Sequence, residues 1–115
     1  MAGTSVVRNA GLTYKLSVTA TSSSSLLIDD QTNDQINYVQ LLNVASSPCA
    51  VKMSSLATCP AAVFPAVGTP GDYVLPPLME VPMVLACPTT PFTLTAICPA
   101  AGTTDLYITP TADQS

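Results

Sequence analysis

The side chains able to do chemistry in this chain are few: seven carboxylates, four cysteines, four tyrosines, three basic residues and no histidine. Without His the commonest general base is missing, and neither a Ser-His-Asp nor a Cys-His arrangement can be assembled. A pair of carboxylates flanking a scissile bond remains a formal option, drawn from Asp29, Asp30, Asp34, Asp72, Glu80, Asp105 and Asp113. The densest three, Asp29, Asp30 and Asp34, sit in a run of polar residues that reads as a solvated turn. The same run places Asp30, Thr32 and Asp34 at alternating positions, as a calcium loop would. Its sixth position is Gln35 rather than Gly and its twelfth is Leu41 rather than Glu, so it is not an EF-hand.

Cys49, Cys59, Cys87 and Cys98 contain no C-x-x-C pair and have no His to complete a zinc site, so no structural metal is expected. Nothing in MAGTSVVRNAGLTYK has the continuous apolar segment of a secretory signal. A cytosol-like compartment, and with it free, buried thiols rather than two disulfides, is the expectation. Gly68-Thr69-Pro70-Gly71 lacks the G-K-[ST] ending of a phosphate loop and reads as a turn. Tyr14, Tyr38, Tyr73 and Tyr107, with no Trp beside them, suit packing better than a stacking platform. No cofactor is implied.

Composition narrows the partners. Only 9% of residues are charged against 48% hydrophobic, where an ordinary soluble domain carries about a quarter charged. A lone monomer would show water an unusually neutral, apolar surface, which favours an assembly protein over a freely diffusing enzyme. The net charge of −4, with only Arg8, Lys15 and Lys52 basic, argues against nucleic acid. Val81 to Thr104 carries no charge, but Pro82, Pro88, Pro91 and Pro99 prevent it from forming one membrane-spanning helix.

The elements that must position these residues are strands. Leu12, Tyr14, Leu16 and Val18 alternate with polar residues, and Cys49, Val51 and Met53 alternate with Ala50 and Lys52. Phe92, Leu94, Ala96 and Cys98 alternate with Thr93, Thr95 and Ile97, and Leu106 and Ile108 alternate with Asp105 and Tyr107. Ile36 to Ala45 reads as a strand buried on both faces. Ser22 to Ser25, Thr58 to Gly71, Pro76-Pro77, Pro88 to Pro91 and Pro99 to Thr103 are the breaks. Pro82 cannot donate to a ladder, so the Met79 to Cys87 strand is an edge or bulged there. All eleven prolines fall at or after Pro48.

These runs predict one all-β domain over 1–115, an antiparallel β-sandwich or jelly roll, with residues 1–10 as an N-terminal arm. Leu16, Val18, Val51, Leu85, Leu94 and Leu106 are its expected core.

From Gln40 to Thr109 the order of elements resembles a family of small tailed-bacteriophage virion proteins of β-sandwich or jelly-roll fold. The resemblance rests on Leu41-Leu42-Asn43-Val44, the turn Ser46-Ser47-Pro48, the strand Cys49 to Met53 and Ala57-Thr58. It continues through Gly71-Asp72-Tyr73-Val74-Leu75-Pro76-Pro77, the strand Leu94 to Cys98 and Ala101 to Thr109. The four cysteines and heavy proline content depart from that layout. Members of the family decorate or cement the outside of capsids. The resemblance implies a non-enzymatic virion protein on the outer capsid surface, assembled in the host cytoplasm, with the major capsid protein and its own copies as partners. A head-fibre or tail-fibre module contacting a host surface is the alternative. The arm and the Pro-rich loop around Phe64 to Leu78 have too few alternating apolar residues to be core. Their apolar members Val6, Val7, Phe64 and Val67 are therefore the candidate capsid contacts.

Overall fold

The computed structural model describes residues 7–23, 25–29, 36 and 38–113. Nine strands and no helix occur among them: β1 (Val7–Asn9), β2 (Tyr14–Val18), β3 (Leu26–Ile28), β4 (Tyr38–Asn43), β5 (Cys49–Ser54), β6 (Tyr73–Leu75), β7 (Met83–Ala86), β8 (Phe92–Ile97) and β9 (Thr104–Asp113). One sheet has the order β1-β9-β4-β7, with β2 lying against β9 on the same edge as β1; the other has the order β3-β8-β5-β6. Every pairing is antiparallel.

The pairings follow one rule. β5 pairs with β6, β4 with β7, β3 with β8 and β2 with β9, so the chain is a long two-stranded ribbon folded at the β5–β6 connection. The ribbon then rolls up until β9 meets β4 and β8 meets β5. Eight strands from β2 to β9 in this order make a jelly roll.

The roll closes over alternating apolar residues. Val18, Ile28, Val39, Leu41, Cys49, Val51, Leu75, Phe92, Leu94, Leu106 and Ile108 form one buried cluster between the sheets. Of the six expected core residues Val18, Val51, Leu94 and Leu106 are buried, and Leu16 and Leu85 pack partly buried against them. Each fully buried large aliphatic side chain contributes about 1.5–3 kcal/mol relative to exposure. Pro82 immediately precedes β7, which is an edge strand, as a residue without an N–H requires.

Three features differ from the sequence expectation. First, residues 7–10 are not an arm: Val7–Asn9 form a ladder with Thr111 to Asp113, and Ala10 is buried with Ile36 and Ala112. Second, the strand predicted from Leu12 begins at Tyr14, and Leu12 is 78% exposed. Both have one cause. Extending the two registers places Ala10 opposite Pro110 and Thr13 opposite Thr109, which inserts Gly11 and Leu12 as a bulge. Pro110 accepts a bond from the Ala10 N–H (2.8 Å) but has no N–H to return, so the edge breaks beside it. Third, β8 is buried on both faces, Thr93 and Thr95 included. The connection between β5 and β6 lies over its outer side as a strap.

Candidate interaction surface

The strap is held by side chains that satisfy its main chain. Thr93 Oγ1 donates to Leu56 O and Thr95 Oγ1 to Pro60 O, both at 2.9 Å. From the β2–β3 turn, Ser25 Oγ accepts from Cys59 N (2.8 Å) and Ser22 Oγ from Ala62 N (2.9 Å). The serine run, which reads in sequence as a mere break, is thus a clamp. Cys59 and Ala62 turn inward and are buried. Further along, Asp72 accepts from Val63 N (2.7 Å), donates its own N–H to Val63 O (2.8 Å) and meets Lys52 Nζ at 3.3 Å. Gly71 is required here, because a Cβ would lie 2.4 Å from Pro65 N.

This geometry places the residues singled out in sequence. Phe64 is half-buried, while Val67 is fully exposed at the tip of a turn closed by mutual Ala66 and Thr69 backbone bonds. Gly68 takes the positive φ (77°) that the turn demands. Val63, on the same strap, is also exposed. Val6 lies outside the described residues, as does the side chain of Val7, whose backbone belongs to β1. Of the four, the structure describes the side chains of Phe64 and Val67 alone, both on the strap.

A second surface has no counterpart in that set. Asn43, the last residue of β4, is completely buried. Its amide donates to Ser47 O (2.9 Å) and Pro76 O (3.1 Å), and its side-chain oxygen accepts from the Thr104 hydroxyl. Thr104 Oγ1 in turn accepts from Ala45 N (3.2 Å). The backbone completes the join, with Leu78 N donating to Ala45 O (3.0 Å) and Met79 N to Asn43 O (2.9 Å). One buried amide therefore binds the β4–β5 and β6–β7 loops into a single ordered end. Val44, Leu78 and Val81 project from these loops into solvent, Leu78 at 65% and Val81 at 73% exposure. Leu78 sits at φ 54°, a left-handed conformation that is an outlier for a bulky side chain.

No family model, curated protein or solved structure matches this chain.

The remaining chemistry-bearing groups are occupied or dispersed. Asp72 is engaged by the strap, Asp105 lies 3.5 Å from Ser17 Oγ, and Asp29 and Glu80 are exposed. Asp30 and Asp34 lie outside the described residues, as does the side chain of Asp113. Among the described residues there is no concave pocket and no group of three or more Cys, Asp or Glu placed to hold a metal. No helix among them is long and apolar enough to cross a membrane. All four cysteines are free thiols, three of them buried. Burial, with a smaller push from neighbouring Cys98, drives the Cys49 thiol up to about 12, and burial also raises Cys87 and Cys98. Such thiols are protonated at neutral pH, which slows their reactions in the folded chain.

On the outer face of the first sheet, Lys15 Nζ lies 6.0 Å above the Tyr107 ring. On the same face Thr13 and Thr109 hydroxyls meet at 2.8 Å, and Gln40 donates to Asn9 at 3.2 Å. These pairs occupy much of that face, while the buried Thr111 hydroxyl beside them has no hydrogen-bond partner among the described residues. The loop end is different, because the Asn43 and Thr104 groups are consumed internally and Val44, Leu78 and Val81 face outward there, beside exposed Ser46 and Glu80. Its one legible signal in sequence was Asn43 following an apolar strand; which carbonyls Asn43 would meet depended on loops distant in the chain.

Proposed function

We propose that this chain is a structural virion protein, a cement or decoration protein that binds the outside of a major capsid shell beside its own copies and stabilises it. A jelly roll by itself hosts many functions, lectins and capsid proteins among them. The observation that carries the reading is the loop end: a fully buried amide fixes two loops so that Val44, Leu78 and Val81 face solvent, in a chain with 9% charge.

The physical logic is association by apolar burial. A stable contact covers about 800 Å² per partner, a minor part of the 6338 Å² surface of this molecule. Loops already ordered by hydrogen bonds lose little conformational freedom on docking, so more of the burial free energy appears as affinity. A protein that binds only the assembled shell stabilises it by mass action. Val67 at the strap tip is a second candidate contact, consistent with its full exposure.

The test is depletion and add-back on particles that carry the chain. High copy number, a lower burst temperature on depletion and its recovery on add-back are expected. The double variant Leu78→Asp, Val81→Asp is expected to fold and fail to restore it. Equal robustness of depleted particles, with a few copies on a fibre, contradicts the cement reading and favours a host-contacting module.

A further inference from the structure

The ladder between β5 and β8 pairs Ala50 with Ile97, Val51 with Ala96 and Met53 with Leu94. One step further, the same register sets Cys49 directly opposite Cys98. Both side chains point into the core between the sheets, and both are buried. The Cys98 N–H donates to Thr19 O at 2.8 Å, on the side away from β5. The two cysteines therefore form a non-hydrogen-bonded pair, the kind in which opposing Cα atoms are closest, about 4.5 Å apart. That separation lies within the span of roughly 4.4–6.8 Å that a disulfide bridges. Cys59, by contrast, faces the strap side of the same sheet, where its Sγ contacts Lys52 O and Thr95 Oγ1, and Cys87 packs beside Ala10, Ile36 and Ala112.

We infer that Cys49 and Cys98 are a disulfide-forming pair, a cross-strand staple that closes when the chain meets a small oxidised disulfide such as oxidised glutathione. One cysteine thiolate attacks the glutathione disulfide, releasing one glutathione thiolate and leaving a mixed disulfide. The second cysteine displaces the other glutathione and closes the Cys49–Cys98 bond. In sum, two protein thiols lose two electrons and two protons, and oxidised glutathione gains them as two glutathione thiols. The Cys98 thiol now donates weakly to Val18 O at 3.7 Å, and closure replaces that contact with the covalent bond. Both sulfurs are screened from solvent in the folded protein. Closure is therefore fast during folding, before the sheets meet, and slow afterwards. The bridge closes a loop containing the strap, β6 and β7, so it restrains the unfolded chain strongly.

The experiment refolds the reduced full chain in a glutathione redox buffer, alkylates remaining thiols and maps bridges by mass spectrometry without reduction. A single Cys49–Cys98 bridge is expected, with Cys59 and Cys87 alkylated. The bridged form is expected to melt on the order of 10 °C above the reduced form, and the gain is lost on reduction. Cys98→Ser is expected to form no intramolecular bridge under the same conditions. The same mapping on folded protein held in oxidised glutathione gives the same pair more slowly, which keeps the test decisive if refolding yields are poor. Alkylation of both Cys49 and Cys98 in both experiments, pairing with Cys59 or Cys87, or a bridged form no more stable than the reduced one overturns the inference.

Discussion

Two loop regions of this jelly roll use the same residue types in opposite ways. The strap between β5 and β6 turns Cys59 and Ala62 inward, and its main-chain groups are met by Thr93, Thr95, Ser22 and Ser25. It seals the outer side of β8. The β4–β5 and β6–β7 loops instead turn their polar groups inward onto Asn43 and Thr104 and leave Val44, Leu78 and Val81 outside. The strap completes the fold over β8 while still exposing Leu56, Val63 and Val67, whereas the loop end uses one buried amide to hold Val44, Leu78 and Val81 outside. Charge does not distinguish them; the direction in which hydrogen bonds are satisfied does.

The largest expected effect is at the join. Asn43→Ala removes the donor to the Ser47 and Pro76 carbonyls and the acceptor for the Thr104 hydroxyl from a fully buried site, which predicts a loss of about 3 kcal/mol in denaturant unfolding. Asn43→Asp tests the same point, since a carboxylate cannot donate to Ser47 O and Pro76 O, and an unchanged midpoint in either variant refutes the assigned network. Next comes the strap. Thr95→Val keeps the shape but leaves Pro60 O without its donor, for an expected loss of about 1–2 kcal/mol. Shell binding per folded molecule is expected to fall less than for a change at the loop end, because Thr95 seats the strap on β8 and Val67 at the strap tip is only a second candidate contact.

A smaller effect follows from the Cys49 thiol. Its folded-state value is raised from 9.0 to about 12, so the folded chain holds a proton that the unfolded chain releases. The stabilisation this represents is fully present below about pH 9 and is lost as pH rises toward the folded value. Thermal melts from pH 8 to pH 11 are predicted to fall more steeply for the wild type than for Cys49→Ala. Parallel curves contradict this.

Much of this architecture was legible in sequence as period-two alternation, although in β5 both faces are buried at Cys49, Ala50 and Val51. The alternations at Tyr14 to Val18, Cys49 to Met53 and Leu106 to Ile108 recur as strands with the expected inward faces, and Pro82 marks an edge. What could not be read depends on partners distant in the chain. Thr93 and Thr95 alternate with Leu94 and Ala96 as solvent-facing residues would, and only the strap makes them interior. Residues 7–10 have little apolar content, and backbone bonds to β9 draw them into the sheet. Leu12 continues a perfect period of two, yet the slip at Pro110 expels it. Exposure of Val44, Leu78 and Val81 likewise depends on how the Asn43 amide orients two separate loops.

The claim that the loop end is a docking surface is tested most directly by Leu78→Gly. Glycine relieves the left-handed backbone at φ 54° and deletes the aliphatic side chain at once. The isolated chain is predicted to melt at the wild-type temperature or slightly above it, by about 1 kcal/mol of added stability. Occupancy of the variant on depleted particles, measured in competition with wild type, is predicted to drop several-fold. Wild-type occupancy by a normally folded Leu78→Gly chain would contradict the account.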